Sequence, residues 1–122
     1  MKSILIVEDS TTTRSLIRAV IEELGDFNIG EAPTGFDALK LLPTQDFDLV
    51  VTDINMPDIN GLELINFVMS NQRYSNIPLI IVTTERSEED KKRGMALGAT
   101  AYLPKPIQTQ ELIKLVNGFI SG

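Results

Sequence analysis

Runs of consecutive apolar residues alternate along this chain with stretches that are apolar on one side only. The run ILIV at 4–7 reads as a strand buried on both faces. Similar runs predict strands at 48–52, 79–83 and 101–103, and a weaker pattern predicts one at 27–31. Amphipathic spacing between them predicts helices near 11–24, 36–42, 62–71, 88–97 and 108–120. In the first helix Leu16, Ile17, Val20, Ile21 and Leu24 share one face, with Arg14, Arg18 and Glu22 away from it. Thr34 with Asp37 and Ser87 with Asp90 have the spacing of capping boxes. The fourth helix opens on the charged EEDKKR, and Gly94 is expected to weaken its interior. The last helix carries Leu112, Val116 and Phe119 at core spacing, with Lys114 facing out.

Strict alternation of strand and helix predicts an α/β fold: a doubly wound, five-stranded parallel sheet with helices on both faces, because right-handed crossovers place them there. No linker, repeat or low-complexity tract interrupts the pattern.

Composition narrows the function. A chain of 122 residues fits one domain, 1–122, and leaves no room for a second catalytic or DNA-binding unit. A net charge of −6 argues against nucleic acid and anionic membranes as partners. The absence of cysteine removes disulfides and thiolate chemistry, and the absence of histidine removes the commonest general base. The apolar stretch in MKSILIVEDS is too short for a secretory leader, so a cytoplasmic location is expected.

In an open α/β sheet, ligands bind outside the carboxyl ends of the strands. There the first strand delivers Glu8 and Asp9, the third Asp53, the fourth Thr83 and Thr84, and the fifth Lys105. Three carboxylates against one ammonium leave about two negative charges uncompensated, a gap that a divalent cation fits. With oxygen ligands alone, a hard ion such as Mg²⁺ is expected. Each residue also has a plain structural role open to it. Asp9 or Ser10 could cap the first helix, Asp53 could serve a turn, Thr83 could cap a loop, and Lys105 could be a solvated charge. Their joint arrival at strand ends favours a site.

These motifs, ILIVEDS, DLVVTDINMPDINGLEL, IPLIIVTT and GATAYLPKPI, resemble those of response-regulator receiver domains, the phosphoacceptor half of bacterial two-component signalling. CheY-like chemotaxis regulators are among the similar types. The resemblance implies the flavodoxin-like strand order 2-1-3-4-5. It also implies that Asp53 accepts a phosphoryl group, and that Glu8, Asp9, Asp53 and the backbone carbonyl of Asn55 hold Mg²⁺, with Mn²⁺ as an alternative. Thr83 would bond a phosphoryl oxygen, Lys105 would pair with the phosphate, and the Lys105–Pro106 peptide would be cis. Tyr102 would swing inward as Thr83 is drawn to the phosphate, while Asn55 and Glu85 would modulate hydrolysis. The implied partners are a histidine kinase or phosphotransfer protein, a phosphatase, and a target docking on the fourth helix, fifth strand and fifth helix near Lys91, Lys92, Tyr102 and Lys114. Departures from the commonest family pattern are Pro33, Asn60, Ile107 and Gln108, none of which touches the implied chemistry.

Rival classes fare less well. Aspartyl phosphatases of the DxD type need an acid where Asn55 stands. The nucleotide-binding patterns GxGxxG and GxxxxGK are missing. An interaction module that had lost the chemistry would lack an acceptor, an acid or the lysine, and all are present. A receiver excised from a larger regulator would read the same way.

Overall fold

The strand β1 (Ser3–Val7) lies between two parallel partners, β2 (Asn28–Ala32) and β3 (Leu49–Asp53). Beyond β3 come β4 (Leu79–Thr83) and β5 (Ala101–Pro104), so the sheet order is 2-1-3-4-5. This computed structural model describes residues 1–56, 59–84 and 88–120. The connecting helices are α1 (Thr11–Leu24), α2 (Gly35–Leu41), α3 (Gly61–Ser70) and α4 (Glu88–Leu97), and α5 (Thr109–Ile120) follows β5. The arrangement is the doubly wound, flavodoxin-like one expected from the alternation of elements. Among the described residues no helix is long and apolar enough to cross a membrane.

The unbroken apolar runs are explained by the two faces of the sheet. Alternate residues of a strand point to opposite sides. Leu5, Val7, Val50 and Ile81 pack with Leu64, Ile65 and Val68 of α3 on one side. Ile4, Ile6, Val51 and Val82 pack on the other with Ile17 and Ile21 of α1 and Leu112 and Val116 of α5. Every residue of β1, β3 and β4 is buried, whereas the edge strand β2 is mostly half-buried, which accounts for its weaker pattern.

The structure departs from the sequence expectations at a few positions. Leu16 is 39% exposed, because α1 rests on the sheet through Ile17, Val20 and Ile21 and its next position turns off that contact. The second helix stops at Leu41 and tightens into a 3-10 turn over Leu42–Thr44, where Pro43 has no N–H to continue the α-helical ladder. Thr34 caps α2 as expected, its hydroxyl accepting from Asp37 N and donating to Asp37 Oδ2. The Ser87 cap lies outside the described residues. Gly94 is not merely a weak point in α4. It is the buried contact of that helix with the sheet, and a Cβ there would fall 2.5 Å from Ile81 Cδ1.

Candidate functional site

Parallel strands bring their carboxyl ends to one edge, and the register sets which residues meet there. Val7 pairs with Thr52, Asp53 with Val82, and Thr83 with Pro104. Glu8 continues the β1 ladder by donating its N–H to Ala32 O, and the chain then turns into α1. Ser10 caps that helix by accepting from Thr13 N, and its own N–H donates to Glu8 Oε2. The cap is therefore Ser10, and Asp9 stays exposed.

Glu8, Asp9 and Asp53 each offer a carboxylate oxygen, and the three atoms lie within 4.8 Å of one another. Two oxygens bound to one Mg²⁺ are at most about 4.2 Å apart, and the spacing of this set is close to that limit. Lys105 Nζ stands 2.9 Å from Glu8 Oε1 and 3.5 Å from Asp53 Oδ2. The closer contact is an ion pair with the buried Glu8 Oε1. A buried carboxylate oxygen whose partner is a lysine, beside two further acids, leaves negative charge that a hard divalent cation fits.

The electrostatics show a site under charge strain. Burial pushes the Glu8 carboxyl above its ordinary range, against the lowering effect of Lys105 and of the Ser10 N–H, and the Asp53 charge adds to the rise. Burial also works against the Lys105 ammonium, but the Glu8 and Asp53 carboxylates overcome it and hold that group above the usual lysine value. The backbone holds the lysine at the strand end, since Lys105 N donates to Thr83 O at 2.6 Å; the Lys105–Pro106 peptide is cis.

A sequence profile of the response regulator receiver domain matches residues 4–117. The chain belongs to the response regulator receiver family. It is 36% identical over 110 residues to a chemotaxis protein CheY homolog of Campylobacter jejuni, covering 89% of this chain and 85% of that protein. The chemotaxis response regulator CheY4 of Vibrio cholerae has the same fold at a TM-score of 0.88 and 32% identity, over 98% of this chain and 99% of that one. The Mn²⁺-bound form of response regulator Rcp1 matches at a TM-score of 0.82 and 28% identity, over 99% and 93% of the two chains. Receiver domains of this CheY-like kind are signalling domains of two-component systems.

In this receiver Glu8, Asp9, Asp53 and Lys105 come together, and the buried Thr83 ends the neighbouring strand. Asn55 lies in the loop after β3, where its N–H donates to Asp53 Oδ1 at 3.3 Å. Tyr102 is 46% exposed, with Lys91 Nζ 4.1 Å from its ring centroid. It walls an open groove of about 460 Å³ between β5 and α5, lined also by Leu103, Glu111, Lys114, Leu115 and Phe119. Glu85 lies outside the described residues.

Two features of the receiver site escape a reading of the sequence. Gly61 N donates to Ile54 O, and a Cβ on Gly61 would fall 2.6 Å from Asp53 O and 2.5 Å from Ile54 Cα. A glycine eight positions after an acid that ends a strand is the available hint. Arg14 donates to the backbone carbonyl of Glu8, a contact that helical periodicity cannot reveal.

Proposed function

We propose that this receiver takes a phosphoryl group onto Asp53 from the phosphohistidine of a histidine kinase or phosphotransfer protein. The observation that carries this reading is a buried Asp53 carboxylate at a strand end, beside Lys105 and in one cluster with Glu8 and Asp9. A carboxylate oxygen of Asp53 attacks phosphorus, the P–N bond to the donor imidazole breaks, and an acyl phosphate forms. Lys105 neutralises charge on the phosphoryl oxygens, and the Thr83 hydroxyl donates to one of them. Glu8, Asp9, Asp53 and the Asn55 carbonyl would hold Mg²⁺, or Mn²⁺ in its place. When bound, the ion supplies further neutralisation of the transferring group. Water later cleaves the acyl phosphate, at a rate set by Asn55 and Glu85 and by any partner phosphatase.

The output is a change in the face formed by α4, β5 and α5. Thr83 drawn to the phosphate leaves space that the Tyr102 ring fills, and α4, anchored by few apolar residues, changes its position. A protein target reads that face near Lys91, Lys92, Tyr102 and Lys114. The names of the similar proteins support a chemotaxis-type role, and the net charge of −6 supports a protein target over nucleic acid or membrane. The unit acts as a single domain, 1–122, in the cytoplasm.

The test is labelling by acetyl phosphate. Uptake of one phosphoryl group that requires Mg²⁺ and is lost in Asp53→Asn supports the reading, and uptake indifferent to both contradicts it.

A further inference from the structure

Arg14, in the first turns of α1, is held in two directions. Its Nη1 donates to the carbonyl oxygen of Glu8 at 2.8 Å, and its Nε donates to Glu31 Oε1 at 3.2 Å. The other oxygen of that carboxylate, Glu31 Oε2, accepts from Arg18 Nη1 at 2.7 Å. Glu31 belongs to β2 and stands in register with Ile6, so one network ties α1, β2 and the exit of β1. The Arg14 side chain is only 17% exposed, which limits competition from water.

The carbonyl that Arg14 holds matters because of where it lies. The Glu8 C=O and the Asp9 N–H share one rigid peptide plane, and the two acidic side chains project from the Cα atoms at its ends. On the other side of Glu8, its N–H is already tied to Ala32 O. With the carbonyl tied as well, the directions from which both carboxylates leave the backbone are fixed.

We infer that Arg14, itself braced by Glu31, is a positioning residue for divalent-cation binding: it locks the peptide plane between Glu8 and Asp9 and so preorganises the acidic pair. The inference rests on the reading of those two acids as metal ligands. Its physical basis is that the groups behind the ligands of a metal site set their orientation, and losing one typically weakens binding by about 10–100-fold.

Electrostatics alone makes the opposite forecast. Arg14 is a cation close to an acidic site, so deleting it should strengthen binding of Mg²⁺. The clamp requires that deletion weaken it. Isothermal titration of the whole chain with MgCl₂ separates the two, with the metal-free thermal midpoint measured beside each affinity. Arg14→Ala is expected to bind Mg²⁺ about tenfold more weakly. Arg14→Lys should also bind more weakly, because one ammonium replaces a fork that serves two acceptors. Glu31→Gln should weaken binding too, by releasing the fork. Arg73→Ala, which removes an exposed partner of Asp46, should leave the affinity unchanged. A merely structural Arg14 would lower the thermal midpoint and leave the affinity of the folded protein where it was. Unchanged or tighter Mg²⁺ binding in Arg14→Ala and Arg14→Lys, beside a wild type that binds, overturns the inference. If Arg14→Ala does not fold, Arg14→Lys decides by the same comparison. A wild type that takes up no Mg²⁺ overturns the metal reading itself, and this inference with it.

Discussion

Lys105 pairs with Glu8 more closely than with Asp53, at 2.9 Å against 3.5 Å. The lysine therefore serves the buried Glu8 at least as closely as it serves Asp53. Even so, burial outweighs the pair, and the Glu8 carboxyl is held above its ordinary range. Ionising it costs the fold, so metal-free stability should fall as pH rises from the ordinary carboxylate range through the higher folded value. Glu8→Gln should remove that fall and raise the metal-free thermal midpoint at neutral pH, despite the loss of an ion pair. It should also weaken the further rise that Mg²⁺ produces by binding only the folded state. Thermal melts with and without Mg²⁺ across a pH series check this, and a midpoint that drops on Glu8→Gln would mean the ion pair wins.

The same crowding acts on the two neighbouring acids. Asp9→Asn and Asp53→Asn should each raise the metal-free midpoint, since each removes one like charge from the cluster. Unchanged or lower midpoints in both would count against a strained site.

Gly61 makes a different prediction, because its neighbours cannot yield. A Cβ at that position meets Ile54 Cα at 2.5 Å and Asp53 O at 2.6 Å, both backbone atoms. Gly61→Ala should therefore cost about 1–3 kcal/mol and displace the loop that follows Asp53. Gly94→Ala meets the movable end of Ile81 at 2.5 Å and gains helix propensity, so it should cost less. Chemical denaturation of the two variants ranks them, and the reverse order would refute this account of the packing.

What the sequence revealed follows from the kind of physics involved. The apolar runs at 4–7 and 79–83 announced their strands because parallel strands buried on both faces have no polar alternation to blur them. The acids, Thr83 and Lys105 were legible because each directly follows or ends such a run. Arg14 and Glu31 were not, since their meeting depends on how α1 lies across β2, seventeen positions apart in the chain. Leu16 misled for a related reason: helical spacing names a face, but only packing decides how wide a stripe of it is covered. Gly94 has a packing role besides its low helix propensity, and propensity does not show it because it weighs a glycine against its own helix and takes no account of the Ile81 side chain beneath it.

The contact of Lys91 with Tyr102 bears on the proposed output face. An ammonium 4.1 Å from the ring centroid, itself paired with Glu88, holds the ring outward by roughly 0.5–1 kcal/mol. Lys91→Met should shift Tyr102 toward its inward position before any phosphoryl group arrives. Amide-shift maps with Mg²⁺ and beryllofluoride, which mimics the phosphoryl group, should show changes in α4 and Tyr102 of the wild type. Shifts confined to the strand ends would show that the signal does not leave by this route.

Asn55 bears on the signal's lifetime. Asn55 is exposed and its N–H donates to Asp53 Oδ1, so under the proposed chemistry its polar side chain need not seal the site from water, and the acyl phosphate should be short-lived. Following its decay in wild type and in Asn55 variants checks this, and persistence for many hours regardless of the residue at that position would contradict it.

The most direct test of the central claim is to locate the phosphoryl group itself. The protein is incubated with Mg²⁺ and acetyl phosphate, the acyl phosphate is trapped by borohydride reduction, and the modified residue is read by peptide mass mapping. The account predicts a single modified position, Asp53, with no trapping in Asp53→Asn or when Mg²⁺ is chelated. A stable label on any other residue, or undiminished trapping in Asp53→Asn, would contradict it.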